Sequence, residues 1–225
     1  MQIGLIGGIG PAATEFYYRG LIDRHAAAGT APDLTMVHAD VHVMGANLAA
    51  GAAQAQAEIF ARLIARLAAA GAELAAVTSM GGHFCIRELE AISPLPLLNV
   101  VPEVEAAIRA KGFSTVGIIG TRTVMESGLY GGIRSARVVR PEGALLDEVH
   151  TAYITMAGAG RVTEAQRQVF FTAGRRLCEG QGAEVVLLGG TDLFLAFTEQ
   201  DCGFPVMDCA DVHVAALYRR SATST

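Results

Sequence analysis

The residues of this chain best suited to move protons are His83 and Cys85, in the stretch LAAVTSMGGHFC from Leu74 to Cys85, and Asp192, which closes GGTD at Gly189 to Asp192. An imidazole exchanges a proton near neutral pH, a thiol does so once it gains thiolate character, and a carboxylate held beside a reacting carbon can act as a base. Each also has a plainly structural reading. His83, after a double glycine, could donate the hydrogen bond that fixes a turn. Cys85 could be a small core residue entering a buried helix. Asp192, just beyond an apolar run, could cap a helix.

A second group, His38, Asp40 and His42, alternates along another stretch. Read as a strand over Leu34 to Val43, period-two alternation puts all three on one face near its carboxyl end. Two imidazoles and a carboxylate can hold a divalent metal, but no further ligand cluster accompanies them. The reading adopted is that they orient a substrate, with Asp40 and His42 as the contacts, and that there is no metal.

The elements that must position these groups come in two similar sets. GAELAAVTSMGGH, beginning at Gly71, is echoed by GAEVVLLGGTDLF, beginning at Gly182, and IGLIGG at Ile3 by VGIIGT at Val116. Strands are expected at Gln2 to Ile6, Leu34 to Val43, Leu74 to Thr78, Thr115 to Ile119, Val138 to Val139, Val185 to Leu188 and Phe204 to Met207, with Leu97 to Val100 a short strand or crossover. Helices are expected at Pro11 to Ala28, Ala49 to Ala70, Arg87 to Ala91, Pro102 to Lys111, Leu145 to Ala157, Glu164 to Gly180 and Ala210 to Arg220, with SATST fraying at the end. Alternation of this kind implies mostly parallel sheets, whose ligands bind beyond the carboxyl ends of the strands. The turns Ser79 to His83 and Gly189 to Asp192 sit at such ends. The turn Gly7-Gly8-Ile9-Gly10-Pro11 leads into a helix, with Pro11 suited to its first turn, so Gly8 and Gly10 can bring backbone amides to an anion.

At 225 residues and 52% hydrophobic content the chain can bury one large core or two smaller ones, and the repeat favours two. A net charge of -5 without a run of Lys or Arg argues against nucleic acid or an anionic membrane as partner. Gln54, Gln56, Glu58, Arg62 and Arg66 interrupt the Ala-rich stretch from Leu48 to Gly71, so it suits an amphipathic helix rather than a bilayer span. Four cysteines without CxxC spacing, and an opening MQIGLIGG that enters a strand without a charged leader, suggest a cytoplasmic protein with reduced thiols.

GLIGGIGPAATEFYYRGLI, PLLNVVPEV, VGIIGTRTVMESGLY and AEVVLLGGTDL, in that order and over nearly the whole chain, resemble the aspartate/glutamate racemase family. The resemblance implies two flavodoxin-like α/β domains related by a pseudo-twofold and facing an interdomain cleft, residues 1–99 with 209–225 and residues 100–208. It implies a homodimer, no cofactor, an amino acid or related small carboxylate as substrate, and two thiols that remove and supply the Cα proton on opposite faces. Thr121 and Arg122 match the family's GTR, where turn amides and the guanidinium fork could bind a carboxylate.

The family's first motif resembles Cys-Asn-Thr-x-His, and counting back from His83 places Ser79 at the thiol, Met80 at Asn and Gly81 at Thr, followed by Gly82. The second resembles Gly-Cys-Thr-Glu and stands here as Gly189-Gly190-Thr191-Asp192. Neither thiol is present. A serine hydroxyl is far less acidic than a thiol of pKa about 8.5, so Ser79 needs an adjacent base, and Gly190 has no proton to give. Met80, Gly81, Gly82, Gly190 and Thr191 are carried as substrate-facing positions, and Ser79, His83, Cys85 and Asp192 as the groups that would replace the thiols. Three functions fit: an isomerase with non-thiol bases, a lyase, decarboxylase or hydrolase on the same scaffold, or a ligand-binding relative without chemistry.

Overall fold

A computed structural model describes residues 1–198 and 200–222 as two compact units, Met1–Asn99 with His213–Thr225 and Val100–Val212. In the first unit β1 (Ile3–Gly7) is the central strand, flanked by β2 (Leu34–His38) and β3 (Leu74–Val77). All pairings are parallel, and Ile3 lies opposite both Leu34 and Leu74. Around this sheet the chain forms α1 (Pro11–Ala27), α2 (Val41–Ala49), α3 (Ala53–Ala69), a 3₁₀ turn at Gly81–Cys85 and α4 (Ile86–Ile92). Helix α3 shows why the pattern folds this way. Its Phe60, Ile64 and Leu67 recur at helical spacing and are fully buried in one cluster with Ile6, Ala75 and Val77. Each such side chain contributes roughly 1.5–3 kcal/mol of burial.

The second unit contains a parallel four-stranded sheet in the order β5-β4-β6-β7, where β4 is Thr115–Ile119, β5 Arg137–Val139, β6 Val185–Leu188 and β7 Val206–Asp208. Its helices are α5 (Val100–Lys111), α6 (Arg122–Ser127), α7 (Ala144–Ala159), α8 (Glu164–Gln181) and α9 (Phe194–Phe197); the division between units falls inside α10 (Cys209–Ala222). Its core gathers Ile119, Val149, Tyr153, Phe170, Leu177, Val186 and Leu188. The mixed α/β architecture with two mainly parallel sheets is the one expected. No helix among the described residues is long and apolar enough to cross a membrane.

The repeated GAE has a physical cause in each unit. Gly71 and Gly182 adopt φ of +97° and +72°, left-handed turns that favour glycine. The alanine that follows packs on a strand glycine: a Cβ on Gly4 would lie 2.9 Å from Leu67 Cδ1 and 3.1 Å from Ala72 Cβ, and one on Gly117 3.0 Å from Leu177 Cδ1 and 3.3 Å from Ala183 Cβ. The glutamate then accepts from the start of the central strand, Glu73 from the Gln2 amide at 2.9 Å and Glu184 from the Ser114 and Thr115 amides at 2.6 and 2.9 Å. Helix, turn and strand are thus locked together by the same three residues twice.

Several boundaries differ from expectation. Strand β2 stops at His38 because the Asp40 carboxylate accepts from the His42 and Val43 amides and starts α2, so His38, Asp40 and His42 do not share a strand face. The long helix expected from Ala49 begins only at Ala53, as α3, because Gly51 at φ +64° separates it from α2, which ends at Ala49. Of Leu97 to Val100, only Leu97 bridges to Ala75, and Val100 opens α5. The last strand begins at Val206 rather than Phe204, and α9 follows β6 where only a turn was expected. Of the final SATST, Ser221 and Ala222 close α10; residues 223–225 lie outside the described residues.

Candidate active site

At the end of β3 the backbone turns sharply under a set of short hydrogen bonds. The Thr78 hydroxyl donates to the Ile6 carbonyl at 3.0 Å, tying the turn to the central strand. Ser79 follows, buried, its hydroxyl oxygen accepting from the Gly82 amide at 3.2 Å. Its carbonyl oxygen receives the His83 Nδ1 proton at 2.6 Å, which leaves His83 Nε2 as the ring's lone-pair nitrogen. That Nε2 is buried without a hydrogen-bond partner. Burial pushes the imidazole down to about 4, against the raising effect of the Ser79 carbonyl, so His83 stands neutral. The imidazole therefore bonds the serine's carbonyl and not its hydroxyl, and Ser79 is a donor without an attached base. Met80 is fully buried, Gly81 half-buried, and Gly82 buried with its amide committed to Ser79.

Cys85 lies beneath this turn. Its thiol points to the Gly82 carbonyl at 3.5 Å, and burial pushes it up to about 12, so it holds no useful thiolate. The geometry gives Cys85 the core-packing role rather than the proton-transfer one.

The end of β6 is built differently. Gly189 donates to the Ile119 carbonyl at 2.8 Å, and Gly190 is buried beside the ring of Tyr153. A Cβ placed on Gly190 would lie 2.2 Å from Tyr153 Cε2, 2.5 Å from Cζ and 2.9 Å from the hydroxyl oxygen. Tyr153 thus fills the space of the missing side chain. Its hydroxyl donates to Asp192 Oδ2 at 3.2 Å, and the Thr191 hydroxyl donates to the same oxygen at 3.3 Å. Tyr153, Thr191 and Asp192 are all buried. Burial, then the Asp192 charge, holds the phenol well above its usual range, while the Thr191 hydroxyl and the Asp192 amide act in the opposite sense. Asp192 does not act as a helix cap, since α9 starts after Leu193 with no side-chain cap. Arg167, buried on α8, donates to the Ala196 carbonyl and pins this segment in place.

The remaining predicted positions follow the other strands, Gly8 and Gly10 after β1, Asp40 and His42 after β2, and Thr121 and Arg122 after β4 beside the Gly189–Gly190 turn. The Gly8 amide donates to the Thr14 hydroxyl at 2.9 Å, and the Gly10 carbonyl caps α1 by accepting from the Thr14 amide. Thr121 caps α6 through the Val124 amide, and the Arg122 amide donates to His150 Nδ1 at 3.2 Å. The amides of Gly8 and Arg122, expected to meet an anion, and that of Gly82, a substrate-facing position, are therefore satisfied inside the protein. The Arg122 guanidinium is held by Glu126 at 3.3 Å and by Asp147, so its fork already has carboxylate partners. His38, Asp40 and His42 are exposed, and among the described residues no group of three or more His, Cys, Asp or Glu is placed to hold a metal.

Three residues that matter here, Tyr153, Asp208 and His213, were missed in the sequence. Tyr153 is brought to Gly190 by α7, which carries Asp147, His150 and Tyr153 three residues apart along one side. Asp208, at the end of β7 opposite Leu188, accepts from the Ala210 and Asp211 amides at 2.8 and 3.4 Å, and burial pushes it up to about 7. His213 donates through Nε2 to the Leu98 carbonyl at 2.9 Å and accepts the Tyr17 hydroxyl at Nδ1 at 2.8 Å. Its ring stands edge-on to His83 with centroids 6.0 Å apart. The helical stripe 147-150-153 and the strand-end Asp208 were the available signals.

Comparison with known proteins agrees with this architecture. A solved structure from Yersinia pestis, provisionally assigned as an Asp/Glu racemase, superposes with a TM-score of 0.85 at 27% identity, over 99% of this chain and 100% of that one. An aspartate racemase homologue from Pyrococcus horikoshii OT3 shares the fold at a TM-score of 0.80 and 23% identity, over 98% of this chain and 99% of that one. Glutamate racemase from Francisella tularensis, solved with D-glutamate, shares the fold at 0.67 and 14% identity, over 97% of this chain and 80% of that one. The profile described as Asp/Glu/Hydantoin racemase matches residues 6–217, and the chain belongs to that family.

Proposed function

We propose that this protein is a racemase-like isomerase that moves a proton at the Cα of an amino acid or related small carboxylate, without a cofactor and with non-thiol groups as acid and base. The observation that carries this reading is that both strand-end turns aligned with the family's thiol motifs hold buried polar groups, Ser79 and His83 after β3, Thr191 and Asp192 after β6. Burying a polar group is costly unless it is hydrogen-bonded, and the carboxyl ends of parallel strands, where these groups stand, are where α/β sheets bind ligands. The F. tularensis relative, solved with D-glutamate, supports an amino-acid carboxylate as the ligand class. Incubating the protein with a panel of amino and hydroxy acids in deuterated water, and following the Cα proton by NMR, tests it. Exchange of at least one acid is the expected result; none across the panel overturns it.

A one-sided reaction, a lyase or decarboxylase on this scaffold, is the second reading. It is favoured by the asymmetry of the turns: Ser79 lacks a base on its hydroxyl, whereas Tyr153 has Asp192 on its own. Deuterium appearing in both enantiomers supports the isomerase, and deuterium in one enantiomer only supports the one-sided reaction. The homodimer implied by the family and the cytoplasmic location read from the cysteine pattern are part of the same proposal, the dimer being checked by light scattering of the purified protein.

A further inference from the structure

We propose that Tyr153 is the catalytic acid and base of the second unit, standing where residue 190 would otherwise carry one, with Asp192 as the positioning group that takes and returns its proton. The inference rests on the proton-transfer reading above and names the group that performs one half of it.

Three features of the structure carry it. The phenol oxygen lies 2.9 Å from the place a Cβ of residue 190 would occupy, so the hydroxyl comes from α7 to the spot from which a side chain of β6's end would act. Its partner is a carboxylate rather than a carbonyl: the hydroxyl donates to Asp192 Oδ2 at 3.2 Å. A buried tyrosine kept only for packing is satisfied by any backbone acceptor, and placing a buried Asp against it adds a desolvation cost that packing alone does not need. Finally, the Thr191 hydroxyl donates to that same Oδ2 at 3.3 Å, fixing the carboxylate that faces the phenol.

The step balances within the pair. As base, the phenol oxygen receives the substrate's Cα proton while its own proton passes to Asp192 Oδ2. One C–H bond and one phenolic O–H bond break, and two O–H bonds form. The electron pair of the C–H bond stays on Cα, delocalised into the adjacent carboxylate, and the negative charge of Asp192 is transferred to the substrate. As acid, the sequence runs backwards. A neutral phenol alone is a poor base, so the coupled carboxylate is what lets this residue work in both directions.

The test is Cα deuterium exchange by the natural protein, Tyr153→Phe and Asp192→Asn, with whichever acid of the panel exchanges fastest. Tyr153→Phe keeps the ring and loses only the hydroxyl. Both variants are expected to lose about 10²–10⁴-fold in kcat with KM nearly unchanged. In Asp192→Asn the residual rate should also lose the acid limb of its pH profile, which a merely structural Asp192 would leave in place. Exchange that survives Tyr153→Phe within a few-fold ends this proposal and leaves the proton-transfer reading standing. No exchange by the natural protein ends both. Should Tyr153→Phe fail to fold, Asp192→Asn decides, and an unchanged rate and pH profile there overturns the proposal.

Discussion

Tyr153 and a side chain at Gly190 exclude each other, because a Cβ there would stand 2.2 Å from the tyrosine ring. Gly190→Cys, which would restore the family's thiol by sequence, is therefore expected to destabilise the fold by about 1–3 kcal/mol through overpacking. Combining it with Tyr153→Ala should relieve the clash, so that the double variant is more stable than the sum of the single effects by at least about 1 kcal/mol. Urea unfolding of the four proteins measures the coupling. Strict additivity would show that the ring simply moves aside.

Two buried imidazoles, those of His83 and His213, make the protein sensitive to acid. Burial pushes His83 down to about 4 and His213 to about 3, the latter also through the neighbouring His83, from an unfolded value of 6.5. Both stay neutral in the fold while the unfolded chain takes up protons as pH drops below 6.5. Their stabilisation is thus complete above pH 6.5 and is lost as pH falls through 4 and 3. The expected slope is about 1.4 kcal/mol per pH unit for each histidine between roughly pH 6 and 4. Unfolding free energies measured across that range should show it, and His213→Gln should make the curve shallower. A flat profile from pH 7 to 5 would contradict the assignment.

Tyr17→Phe should cost about 1–3 kcal/mol, because it leaves His213 Nδ1 buried without the hydroxyl that now meets it at 2.8 Å. Thermal melts read the loss, and an unchanged midpoint would mean that another donor takes the hydroxyl's place.

Gly4 and Gly117 should be equivalent in their intolerance of a side chain. An added Cβ meets Leu67 at 2.9 Å in one unit and Leu177 at 3.0 Å in the other. Gly4→Ala and Gly117→Ala are each expected to lower stability by about 1–3 kcal/mol. If either is neutral by denaturant titration, the helix above it has room that the packing here does not show.

Cys85, buried with its thiol pushed up to about 12, should resist alkylation in the native protein at pH 8, and Cys85→Ala should leave Cα exchange within a few-fold of the natural rate. Rapid native-state labelling of Cys85, identified by peptide mapping, would reopen it as a reactive group.

What the sequence by itself determined was everything carried by neighbours along the chain. Short apolar runs ending in glycine mark β1, β4 and β6, one ending in Thr78-Ser79 marks β3, and the doubled GAE records a turn, a helix contact and a strand cap made by three consecutive residues. The Asp40 misreading shows the limit of such signals: alternation and a capping aspartate coincide there, and the two amides that Asp40 captures win over the strand pattern. Only the tertiary structure decided which side chains share a site. Tyr153 reaches Gly190 because α7 packs across the end of β6, and His213 reaches His83 because α10 lies beside the turn after β3. Those meetings depend on how helices pack on a sheet, where burial, steric fit and the need to pair every buried polar atom act between residues far apart in the chain and leave no local spacing to read.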